Sequence, residues 1–207
     1  MQPQPLNVIE LRQYTLHPGR RDALIELFER EFIETQNAVG LRVLGIFCDA
    51  ERDDRFVWLR GFTDMVARQR GLQAFYGGPV WQAHRTAANA TMVDSSDVLL
   101  LRPLTPWPRP GDAVGHPWQA LICTLVGAPD EILRTALRSD SSAAWLQAET
   151  AVNNFPALPV REGEQVIVGF ARAGATPALV LPQALRQRLA QPAQRLHLLP
   201  TSRSPLR

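Results

Sequence analysis

Arg55-Phe-Val-Trp-Leu-Arg-Gly-Phe62 is the run that decides the architecture. Its aromatic and apolar residues, closed by glycine, read as a strand. Side chains alternate along a strand, so Phe56, Trp58, Arg60 and Phe62 share one face and Val57 and Leu59 the other. Both faces are largely apolar. A sheet covered by helices on one side alone would leave one set in water. Two such sheets packed face to face, each with helices outside, bury both.

The flanking sequence completes a module around this strand. Val8 to Leu16 reads as a first strand, ended by Pro18-Gly19. From Asp22 to Gln36, Leu24, Leu27, Phe28 and Phe32 recur at helical spacing, with Glu26, Glu29, Arg30 and Glu34 largely off that stripe. Leu41 to Cys48 is a second strand, and the polar run Asp49 to Asp54 is a hairpin loop. Thr63-Asp64 offers an N-cap. A helical stretch follows to Ser96, broken at Gly77-Gly78 and restarted by Pro79. Val98 to Leu101 closes the module. The order β-α-β-β-α-β is the ferredoxin-like pattern.

Prolines 103, 106, 108, 110 and 117 then exclude helix and central strand, so residues 104–118 read as a stiff linker. Beyond it the sequence echoes itself. Tyr14-Thr15-Leu16 resembles Cys123-Thr124-Leu125, Gly61-Phe62 resembles Gly169-Phe170, and Leu99 to Pro103 resembles Leu196 to Pro200. Phe155 precedes Phe170 by the spacing that separates Phe47 from Phe62. Helices are expected at Asp130 to Arg138, with Ile132, Leu133, Ala136 and Leu137 on one face, and at Gln183 to Ala190. The expected fold is α+β: tandem ferredoxin-like modules at residues 1–103 and 119–207, sheets face to face, the second shortened between its third and fourth strands.

Composition excludes several function classes. All 22 basic residues are arginine, so no lysine can form a Schiff base or serve a P-loop. Arginines and acids are dispersed, without a dense basic run, which argues against nucleic acid. Cys48 and Cys123 lie far apart in apolar stretches and read as buried thiols. No His, Cys and carboxylate set has metal-ligand spacing, so no metal or other cofactor is expected. Met1 to Glu10 lacks a signal-peptide pattern and no apolar run is long enough for a membrane span. A cytoplasmic chain without membrane partners is expected, able to form a homodimer through outer faces or sheet edges.

Phe75-Tyr-Gly-Gly-Pro-Val-Trp-Gln-Ala-His-Arg-Thr-Ala-Ala-Asn-Ala-Thr-Met92, with Val98-Leu-Leu-Leu-Arg-Pro103 and the opening Ile9-Glu-Leu-Arg-Gln-Tyr-Thr-Leu-His-Pro-Gly19, resembles the NIPSNAP family over about residues 8–103. That resemblance implies the dimeric α+β barrel fold, here supplied by one chain as a pseudo-dimer. Proteins of the wider superfamily include cofactor-free oxygenases, isomerases and haem-binding enzymes. The resemblance carries no catalytic residue with it.

The residues themselves nominate a site in the first module. On a helix over Pro79 to Asn89, Trp81, Arg85 and Asn89 form an i, i+4, i+8 stripe with His84 beside it. Tyr76 lies just before the Gly-Gly break. Tyr76, His84 and Arg85 are the candidate catalytic groups; Trp58, Arg60, Trp81 and Asn89 are candidate substrate contacts. His84 is a bonded structural histidine, a general base or a haem ligand. Arg60, amid aromatics, must pair with an acid such as Glu10, stack on a ring or meet an anionic ligand. The expected role is binding of a small, largely apolar molecule, with or without a carboxylate, with proton-transfer or oxygen chemistry that uses no metal. The alternatives are a non-catalytic scaffold or partner-binding protein, and haem binding through His84.

Overall fold

The computed structural model describes residues 5–108, 116–174 and 179–207. Strands β1 (Val8–Leu16), β2 (Arg42–Asp49), β3 (Arg55–Phe62) and β4 (Met92–Pro103) come from the first part of the chain. Strands β5 (Trp118–Thr124), β6 (Ala144–Ala148), β7 (Val166–Arg172) and β8 (Gln194–Pro200) follow. All pairings are antiparallel, and the order β1-β3-β2-β8-β5-β7-β6-β4 closes into a barrel. Each group of four has the internal order fourth-first-third-second. The groups meet along two narrow seams. Phe47, Cys48 and Asp49 of β2 pair with Pro200, Leu199 and Leu198 of β8. Leu101, Arg102 and Pro103 of β4 pair with Ala148, Gln147 and Leu146 of β6.

The alternation of β3 places its two apolar sets as expected. Val57 and Leu59 enter the barrel interior, where they meet Ile9, Leu11, Phe47, Phe170, Val168 and Leu198. Phe56, Trp58 and Phe62 face outward under the helices. Those helices are α1 (Arg21–Leu27), a π-helical turn at Phe28–Phe32, α2 (Ile33–Ala38), α3 (Met65–Gly77) and α4 (Pro79–Asn89). Asp64 caps α3 by accepting from the Ala67 N–H at 2.7 Å. The second group is covered more thinly, by α5 (Glu131–Ser139) and α6 (Gln183–Arg186). Asp130 caps α5 in the same way, from the Leu133 N–H at 2.9 Å. Among the described residues, no helix is long and apolar enough to cross a membrane.

Several sequence expectations are corrected. Residues after Met92 are strand, not helix: the Thr91 hydroxyl and N–H both donate to the Ala88 carbonyl and end α4. The chain then pairs with β1 through Leu16–Met92 and Thr15–Asp94. The helix expected over Gln183 to Ala190 stops at Arg186. Leu189 is drawn into a bridge with Leu125, and the Ala190 N–H donates to Thr124. On α5, Leu133 and Leu137 are buried but Ile132 is 78% exposed. Cys123 is buried, whereas Cys48 is only partly so. Burial pushes both thiols up, Cys123 to about 11. The linker prolines 103, 106, 108 and 117 lie in or beside strands and extended chain, and Pro110 falls outside the described residues.

The internal echo is also corrected in detail. Tyr14 and Cys123 both face the helices. Gly61-Phe62 and Gly169-Phe170, however, are out of phase: Phe62 lies under the helices and Phe170 inside the barrel. A one-residue slip turns every side chain to the other face. Each glycine has its own steric cause. A Cβ at Gly61 would lie 2.8 Å from Leu6, and one at Gly169 would lie 2.6 Å from the Trp145 ring. Phe155 is not the counterpart of Phe47, because it lies in the connection between β6 and β7.

Candidate functional site

The layer between the first four strands and their helices holds an unusual set of charges. Even-numbered residues of β1 point there, so Glu10, Arg12 and Tyr14 line up beneath the helices. Their cross-strand partners on β3 are Arg60, Trp58 and Phe56. Arg68 arrives from α3, whose buried stripe is Arg68, Gly71, Leu72 and Phe75. Glu10 accepts from Arg12 and Arg60 on Oε2 and from Arg68 on Oε1, each at 2.7 Å. All four side chains are at most 1% exposed.

Three guanidiniums surround one carboxylate, leaving a net excess of two positive charges. Burial pushes the Glu10 carboxyl up, but Arg60, Arg12 and Arg68 together outweigh it and hold it well below its usual range. Burial pulls Arg68 down, with Arg60 and Arg12 as like-charged neighbours. A guanidinium starts so high that Arg68 stays cationic. The remaining donors are only partly satisfied. Arg12 Nε donates to the Tyr14 hydroxyl at 2.9 Å. Arg60 Nη1 donates to Gln36 Oε1 at 3.2 Å and to the Tyr76 hydroxyl at 3.4 Å. Arg60 Nη2, Arg68 Nη2 and Trp58 Nε1 are buried without a partner.

The second part of the chain reaches into this layer. Between β6 and β7, Asn153 and Asn154 accept from Arg68 Nη1 at 3.0 and 2.7 Å. The Phe155 ring stacks on Tyr76 with centroids 5.9 Å apart. The second half thus contributes groups to the site rather than only covering the barrel.

Against the cluster lies an aromatic cleft lined by Tyr14, Phe28, Phe32, Trp58, Phe75, Tyr76 and Trp81, with Leu24, Gln36 and Met92. Tyr14, Gln36, Tyr76 and Trp58 belong to both cleft and cluster. The cleft encloses about 30 Å³, room for one or two waters. Burial raises the Tyr14 phenol, so it stays protonated. Both phenol oxygens accept from an arginine, which leaves both phenol protons free to donate.

The structure brings Trp58, Arg60, Tyr76 and Trp81 together and leaves the other candidates aside. Arg85 and Asn89 are exposed. The inward face of α4 is Val80, Trp81 and Ala88, not Trp81, Arg85 and Asn89. Helix α4 is rotated from the expected stripe because its small and apolar residues, not its longest polar ones, meet the sheet layer. His84 is partly exposed, 3.6 Å from Glu31, and outside the cleft lining. Sequence reading missed Arg68, Gln36, Asn153 and Asn154. Arg68 left a signal: it occupies the i position of an i, i+3, i+4, i+7 stripe with Gly71, Leu72 and Phe75. The two asparagines left none, since they act from a remote loop. Among the described residues, no group of three or more His, Cys, Asp or Glu could hold a metal ion.

Comparisons with known proteins agree on the fold. A candidate monooxygenase from Lactobacillus acidophilus NCFM is 14% identical, with a TM-score of 0.61 and 94% of each chain covered. One from Fusobacterium nucleatum subsp. nucleatum is 9% identical, with a TM-score of 0.62, covering 95% of this chain and 93% of that one. At such identities the likeness concerns architecture alone: a closed antiparallel α+β barrel. An uncharacterised NIPSNAP-like domain protein from Burkholderia xenovorans is 26% identical over 51% of this chain and 88% of its own, with a TM-score of 0.42. No curated protein matches the sequence. The NIPSNAP family model matches residues 9–107, a span that holds Glu10, Arg12, Tyr14, Trp58, Arg60, Arg68, Tyr76 and Trp81, and over that span the chain is similar to the NIPSNAP family.

Proposed function

We propose that the chain binds a small, largely apolar molecule in the aromatic cleft between the first four strands and helices α1 to α4. The observation that carries this reading is the cleft lining itself: seven aromatic rings in one layer, with the unpartnered indole N–H of Trp58 among them. Apolar walls with a few convergent polar groups are the usual composition of a small-molecule site. The chemistry that such a site supports best is proton transfer from Tyr14 or Tyr76, as isomerase-type or cofactor-free oxygenase reactions require. A cleft of about 30 Å³ is far below the ~300 Å³ of an ordinary ligand pocket. Binding therefore requires Trp81 and α4 to move outward about the Gly77-Gly78 break. We read the whole chain as two ferredoxin-like modules, residues 1–103 and 119–207, joined by 104–118 into an intrachain pseudo-dimer. The matching strand order of the two groups supports this.

The small free volume favours one competing reading, a non-catalytic scaffold in which the rings are packing. Calorimetric titration with a neutral aromatic, 3-phenylpropan-1-ol, separates the two. The cleft reading expects saturable binding that Trp81→Ala weakens by about tenfold, the scale of one stacked ring lost. Absence of binding at millimolar concentrations would leave the scaffold.

A further inference from the structure

We propose that the guanidinium cluster of Arg12, Arg60 and Arg68 is a carboxylate-binding site, so that the ligand of the cleft is an arylalkyl carboxylate with its anionic head at Arg60 and Arg68. This rests on the cleft reading for the ligand's body but stands on different observations for its head. Among the described residues, Glu10 is the only carboxylate bonded to the three arginines. Its two oxygens already accept three bonds, and Arg60 Nη2 and Arg68 Nη2 find no acceptor although both side chains are 0% exposed.

Buried charges are normally paired, and buried donors are normally bonded. Both rules fail here at one place, in one direction: too many donors and too much positive charge. A ligand carboxylate supplies what is missing, two acceptor oxygens and a negative charge. A planar carboxylate also matches the guanidinium fork. The indole N–H of Trp58 is a third unpartnered donor, on a residue that both lines the cleft and stacks beneath Arg60, whose Cζ is 5.1 Å from the ring centroid. Asn153 and Asn154 engage Arg68 through Nη1 and leave Nη2 unclaimed. The second part of the chain thereby orients Arg68 without neutralising it.

The test compares 3-phenylpropionate with 3-phenylpropan-1-ol, the same skeleton with and without the charge, by calorimetry on the full chain. The acid is expected to bind at least about tenfold tighter, the scale of a charge-assisted pair. Arg68→Gln should reduce that ratio to near one. Trp58→Phe, which keeps a ring and removes only the N–H, should reduce it by several fold and covers the case in which Arg68→Gln does not fold. Equal binding of acid and alcohol by the wild type overturns the carboxylate site and leaves the cleft reading standing. If neither binds, the cleft reading fails, and the head site is tested alone with sodium formate against equal sodium chloride. A rise in Tm with formate, absent in Arg68→Gln or Trp58→Phe, upholds it; no rise overturns it. Tighter binding of inorganic phosphate than of formate also overturns it.

Discussion

The two groups of four strands share an order and differ in what they bury under their helices. Beneath α1 to α4 lie Glu10, Arg12, Arg60, Arg68 and a run of aromatic rings. Between the second four strands and α5 and α6 lie Leu121, Cys123, Leu125, Leu133, Leu137, Trp145, Ile167 and Leu185. The second layer shows that this architecture closes without buried charge. Apolar side chains of similar volume commonly do as well as a buried ion pair, or better. Stability therefore gives no reason for three arginines in the first layer. What they supply is a field and a set of donors, which is a property of a site.

That contrast can be broken most forcefully at Glu10. Glu10→Gln leaves three buried guanidiniums without their counter-charge and should destabilise the chain by about 3–5 kcal/mol in urea or guanidinium unfolding. A loss below 1 kcal/mol would mean that water already solvates the cluster, and the two layers would then differ less than their residues suggest. In the second layer, Leu133→Ala should cost about 2–4 kcal/mol through its cavity, with no change in affinity for any cleft ligand. A change in affinity would show that the apolar layer also shapes the site.

Acid sharpens the contrast further. The folded state depresses Glu10 below its ordinary value of 4.5, so its contribution is complete above that pH. It is lost as pH falls below 4.5 toward the folded value. One proton is involved, so the wild type should lose up to about 1.4 kcal/mol more per pH unit below 4.5 than Glu10→Gln does. Parallel stability curves for the two proteins would contradict the depressed carboxyl. The smallest effect belongs to a feature common to both groups. Asp64→Ala and Asp130→Ala each remove one cap hydrogen bond and should cost about 1 kcal/mol apiece in thermal unfolding. Unequal losses would show that one helix depends on its cap more than the other.

The sequence made the barrel legible because β3 alternates without interruption: Val57 and Leu59 against Phe56, Trp58 and Phe62 leave face-to-face packing as the way to hide both. It made half of the charge cluster legible, since Glu10 and Arg60 fall on one face of adjacent strands. The rest depends on relations that no periodicity encodes. Arg68 sits in an apolar stripe as its only charged member, and only the third dimension shows that the stripe ends over Glu10. Asn153 and Asn154 lie more than eighty positions from the arginine they meet. The expected stripe on α4 failed for a simpler reason. It followed the chemically richest residues, Arg85 and Asn89, whereas packing follows Trp81 and Ala88.

Barrel closure has a consequence in time. On a growing chain β2 and β4 appear first, and each ends the first sheet with a row of unpaired N–H and C=O groups. Their partners, β6 and β8, arrive only after residues 144 and 194. Until then the nascent first half displays two open edges, the template on which strands of neighbouring chains can add. The three-residue seams at Phe47–Asp49 and Leu101–Pro103 are where that exposure ends. A protein whose described strands close into a barrel must pass through a form with two open edges, and its second half acts first as a guard for its first.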